Sequence, residues 1–77
     1  MSDSEEQLAW LQAQAEHAYG LMYDVISPTA AAGHYSDAKE ALADAIGMAR
    51  RLGHPDVVER LEARLAHIKA VFRSQFG

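Results

Sequence analysis

Apolar residues recur at steps of three and four in three separate stretches of the chain, the spacing that draws one stripe along an α-helix. The first stripe runs Leu8, Leu11, Ala15, Ala18, Met22 and Val25. Ahead of it, Ser4-Glu5-Glu6-Gln7 has the form of a capping box, with acidic groups set at the positive end of the helix dipole. Ser27-Pro28 closes the segment, because a proline pushes the residue before it out of helical geometry. These limits predict a first helix over about residues 5–26.

The second stripe is Tyr35, Ala38, Leu42, Ala45, Ala49 and Leu52. Ser36 or Asp37 is a suitable cap at its start, Arg50 and Arg51 suit the negative end of the dipole, and Gly53 is a stop signal. A helix over about residues 36–52 follows. Between the two segments, Pro28-Thr29-Ala30-Ala31-Ala32 fits a short turn of helix capped by Ser27. The third stripe, Val58, Leu61, Leu65, Ile68 and Phe72, is opened by Pro55 and predicts a helix over about residues 55–75. Short connections make sequential helices antiparallel, so the expected fold is all-α, an up-down-up three-helix bundle in a single domain spanning 1–77. Gly20 and Gly47 fall inside the first two helices, where glycine costs about 1 kcal/mol relative to alanine. With alanines dominating both stripes, close approach of helices one and two is the expected compensation.

Composition narrows the function classes. At 77 residues the chain makes one small domain. It has no cysteine, which removes disulfides and thiolate metal sites and favours a reducing, cytoplasmic setting. The acidic start, Met1 to Glu6, is unlike a signal peptide, and no apolar run approaches the roughly 18 residues of a membrane span. The net charge of −4 divides unevenly. Residues 1–47 hold one lysine against eight carboxylates, whereas residues 48–77 hold six basic side chains against three acidic ones. Attraction between the two halves accounts for this better than a nucleic-acid partner, which calls for a basic domain overall.

The candidate chemistry is sparse. His17, His34, His54 and His67 form neither a His-x-x-x-His pair nor a His-Glu-x-x-His motif. Those at 34 and 54 bracket the second helix, roughly 25–30 Å apart at 1.5 Å per residue. Glu40 and Asp44 lie four apart on an exposed face, and Ser27, Ser36 and Ser74 lack a glycine elbow. No catalytic residue, metal ligand or cofactor is therefore expected, and the chain reads as a non-enzyme. Arg60, Arg64 and His67 follow one edge of the third helix, with Arg73 near its end. That basic flank can pair with Glu16 and other acids of the first helix, or offer a groove edge to an acidic peptide.

One apolar surplus exceeds what three stripes can hide. Trp10, Tyr19, Leu21, Tyr23 and Ile26 point away from the first stripe, and Met48, Val57, Val71 and Phe76 lie off the others. Exposed apolar surface of that extent marks an interface. The expectation is a homodimer formed through helix one, the two-fold being the commonest symmetry.

Gly33-His34-Tyr35-Ser36-Asp37-Ala38, followed by Ala45-Ile46, resembles the second half of a tetratricopeptide repeat: a glycine, an aromatic two residues on, an alanine three later, then an alanine and an aliphatic. The match covers about half the chain, as a single repeat plus a closing helix. The resemblance implies a protein-binding scaffold. The reading is thus a small helical interaction module with a protein partner. One rival is a metal- or ligand-binding protein using histidines across a dimer interface; another is a nucleic-acid-binding helical domain.

Overall fold

The computed structural model describes residues 3–25 and 27–76, with the side chain of Phe76 outside that description. It contains three helices, α1 (Asp3–Asp24), α2 (Pro28–Leu52) and α3 (Pro55–Phe76), and no strand among the described residues. The all-α, three-helix arrangement expected from the stripes is observed. α2 is central and packs on both neighbours, while the α1 and α3 backbones stand further apart. The result is a slab with extents of 41 × 19 × 13 Å.

The helix limits follow from their caps. α1 already includes Asp3, so Ser4 stands inside the first turn instead of capping it. The larger correction concerns α2, which begins at Pro28 and not at Ser36. Ser27 is extended (φ −71°, ψ 124°), its Oγ accepts from the Ala30 N–H at 3.4 Å, and its carbonyl accepts from the Ala31 N–H at 2.9 Å. Pro28 then takes the first helical position, where its missing N–H costs nothing. The expected short turn simply continues through Gly33. Gly33 costs about 1 kcal/mol there, and the helical stretch sets the fully buried Ala31 seven residues before the fully buried Ala38.

Gly53 ends α2 as expected. It adopts the left-handed conformation (φ 76°, ψ 38°), its N–H donates to the Arg50 carbonyl at 3.1 Å, and the His54 N–H donates to the Ala49 carbonyl at 3.0 Å. This pair of bonds is a Schellman cap, which requires a positive φ that only glycine adopts without strain. The His54 carbonyl in turn accepts from the Val58 N–H at 3.1 Å, and Pro55 opens α3.

The predicted stripes form the core. Leu8, Leu11, Ala15 and Ala18 of α1 join Ala38, Leu42, Ala45, Ile46 and Ala49 of α2 and Leu61 and Ile68 of α3 in one buried cluster. Alanines are two of the five residues that α1 buries and four of the six that α2 buries, and small side chains let helix axes approach. α3 contributes bulkier residues, with Val58 and Leu65 half-buried beside that cluster. Phe72 stacks on Tyr35 at 4.1 Å between ring centroids, and the Lys39 ammonium lies over the same tyrosine ring at 4.5 Å.

The expected role of the glycines is not what the helices use. A Cβ at Gly20 would meet nothing within 4 Å, and one at Gly47 would meet only the Arg51 guanidinium at 3.7 Å. Neither glycine therefore lies at a close α1–α2 approach; the small residues buried there are Ala15, Ala18, Ala38, Ala45 and Ala49, and Gly20 is an exposed cost.

Candidate functional site

α1 has two flanks beside its buried stripe, and the surplus residues divide between them. Toward α3 the flank carries Gln12, Glu16, Tyr19 and Tyr23, at steps of four and three. Each of the first three meets a residue 48 positions later: Arg60 Nη2 donates to Gln12 Oε1 at 3.3 Å, Arg64 grips Glu16, and the Tyr19 hydroxyl lies 3.4 Å from His67 Nε2. A constant offset means that α1 and α3 run parallel and in register, the up-down-up order. The bond to Glu16 is bidentate, at 2.8 Å from Arg64 Nε and 2.6 Å from Nη2. The same guanidinium lies 4.7 Å from the centre of the Tyr19 ring, and Tyr23 meets that ring edge-on at 5.4 Å. At the far end His54 Nε2 lies 2.9 Å from Glu5 Oε1, an ion pair when the imidazole is protonated.

These contacts set the titration of the edge. Hydrogen bonding to Arg64 holds the Glu16 carboxyl below the ordinary glutamate value, against a smaller opposing effect of burial, and raises that of Arg64 in return. Desolvation, reinforced by Tyr23, raises the Tyr19 phenol. The basic flank of Arg60, Arg64 and His67 is thus engaged by α1 of its own chain. Arg73 is exposed in the last turn of α3.

The opposite flank of α1 carries Trp10, Gln14, His17 and Leu21, again at steps of four and three. These residues form one wall of an open groove whose other wall is Asp37, Glu40 and Asp44 of α2, with Leu11, Ala18 and Ala41 at its base. Trp10 is 57% exposed and Leu21 37% exposed. The three carboxylates are exposed too, and among the described residues none of them pairs with a cation. Lys39, their neighbour in sequence, is turned onto the Tyr35 ring.

The expected helix-one interface is accordingly not one patch. Trp10 and Leu21 share the α2 side, while Tyr19 is half-buried against the core and joins Tyr23 on the α3 side. The reason is angular: at 100° per residue, positions 10 and 21 lie near one another and on the far side of the buried stripe from 19 and 23. Ile26 lies outside the described residues, as does the side chain of Phe76. Met48 and Val57, counted in the surplus, pack against the core. Sequence reasoning set Glu40 and Asp44 aside as a solvated face and did not connect them with Trp10. The available signal was Asp37, Glu40 and Asp44 at steps of three and four, matching the spacing of the α1 row.

His17 lines the groove while His67 belongs to the α3 edge, so the two do not share a face. Among the described residues no three of His, Asp and Glu are placed to hold a metal ion. No described helix is long and apolar enough to cross a membrane. No family model, curated protein or solved structure matches the chain.

Proposed function

We propose that this protein is a protein–protein interaction module whose docking face is the groove between α1 and α2. The observation that carries the reading is the open row of Trp10 and Leu21 beside three carboxylates that have no cation partner among the described residues. Tryptophan is a common interface anchor. The likeness of Gly33–Ile46, all of it within α2, to the second half of a tetratricopeptide repeat supports the same class, a protein-binding scaffold. A photo-cross-linking residue at position 21 tests it in extracts of the native cell. Adducts to a defined protein are expected there, and not from the same residue at Ala63, an exposed position on α3. Equal labelling from both positions, or none at 21, contradicts the reading.

Self-association is a second reading of the same face, favoured by the symmetry of its row. Trp10, Gln14, His17 and Leu21 read alike in spacing from either end, so an antiparallel α1–α1 contact sets each Trp10 against the Leu21 of a second copy. Sedimentation equilibrium tests it directly: a dimer weakened by Leu21→Glu supports it, and a monomer at high micromolar concentration removes it.

A further inference from the structure

The groove's two walls differ in chemistry, and the difference specifies an occupant. The α1 wall is apolar at its ends, with Trp10 and Leu21 eleven residues apart, about 16 Å along the helix. The α2 wall places Asp37, Glu40 and Asp44 alongside over about 10 Å. Three exposed carboxylates elsewhere are answered from within the chain: Glu16 by Arg64, Glu62 by Arg50 and Glu5 by His54. The α2 row is not answered. A two-fold contact closing this groove would bring three such carboxylates from each copy toward one another, a like-charge approach that opposes association.

Resting on the reading of this groove as a protein-docking face, we infer that its occupant is a cationic amphipathic helix of a partner protein. Such a helix lays an apolar stripe between Trp10 and Leu21 and presents Lys or Arg at steps of three and four to Asp37, Glu40 and Asp44. About three turns span the row. The apolar anchors supply contact area, while the carboxylates set orientation and exclude acidic helices.

The chain's single tryptophan reports occupancy, because a helix in the groove covers Trp10. The probes are two tryptophan-free 18-residue helical peptides with the same leucine stripe, one carrying lysine and the other glutamate at the flanking positions. Titrating the lysine peptide into the full chain should give a saturable blue shift of Trp10 emission that weakens as salt screens the pairing. The triple variant Asp37→Asn, Glu40→Gln, Asp44→Asn should bind about tenfold more weakly at low salt, roughly a factor of two for each rim pair. All three positions are exposed, and circular dichroism of the variant checks that the helices persist. Equal or tighter binding of the glutamate peptide overturns the cationic occupant while leaving the groove a docking face. A blue shift that grows with protein concentration and without peptide assigns the groove to a second copy and overturns the inference. No shift under any of these conditions overturns both the inference and the function on which it rests.

Discussion

The two flanks of α1 are built from similar parts and put to opposite use. Toward α3, aromatic and acidic side chains of α1 meet a basic row offset by a constant 48 residues, and nearly every polar group there has a partner. Toward the outer side of α2, an aromatic and a leucine stand open beside carboxylates that have no cation partner among the described residues. The uneven charge along the chain explains the contrast. The basic side chains lie mostly in the second half, and α3 can reach only one flank of α1. The other flank, Trp10, Gln14, His17 and Leu21, faces only the acidic row of α2, Asp37, Glu40 and Asp44. The first edge pairs within the chain; the second is the face proposed to bind.

Breaking the floor of the satisfied edge should have the largest effect. Leu42 is 1% exposed and lies beneath the Glu16–Arg64 contact. Leu42→Ala should cost about 2–5 kcal/mol by leaving a cavity, comparable to the whole net stability of about 3–5 kcal/mol expected at this size. Urea unfolding checks it, and a loss below about 1 kcal/mol would mean the ladder, not its apolar floor, holds α3 in place.

Next comes a gain. Gly20 is exposed and a Cβ there meets nothing, so Gly20→Ala should stabilise by about 1 kcal/mol, raising Tm by roughly 4–8 °C. An unchanged Tm would show that α1 does not extend as a regular helix between its two rows.

Arg64→Ala should cost about 1 kcal/mol or less, because both partners are substantially exposed and surface ion pairs are screened. Its signature is pH dependence. Glu16 titrates below its unfolded value, so the stabilisation is present above the ordinary glutamate range and is lost as pH falls through the lowered value. The stabilities of wild type and variant should therefore converge in acid. A carbon-detected titration of Glu16 should move upward in the variant; an identical midpoint would remove Arg64 as the cause.

Smallest is Trp10→Ser, expected to change stability by no more than about 0.5 kcal/mol, since more than half of that side chain already faces solvent. A loss of about 2 kcal/mol would make Trp10 a structural residue and not a docking anchor.

The stripes made the helices and core legible: of the positions they marked, Leu8, Leu11, Ala15, Ala18, Met22, Ala38, Leu42, Ala45, Ala49, Leu61 and Ile68 are buried. Pairing of Glu16 with the basic flank was legible as well, because charge and helix order both pointed to it. The start of α2 was not, since Gly33 has an unfavourable helix propensity and Ser36 and Asp37 are good caps, both of which point to a later start. The chain's periodicity does set Trp10 and Leu21 on the other side of the stripe from Tyr19 and Tyr23, but it does not say what either side faces. All four lie off the stripe, and deciding which neighbour each meets requires knowing on which side of α1 the other helices pack.

The α1–α2 groove, and not the α1–α3 edge, is the proposed receiver of a partner. Amide and indole chemical-shift mapping during titration with the lysine-bearing helical peptide tests it most directly. The account predicts shifts concentrated at the Trp10 indole, His17, Leu21 and residues 37–44, with Arg64 and His67 unmoved. Shifts centred on residues 60–67, or spread evenly over the three helices, would contradict it.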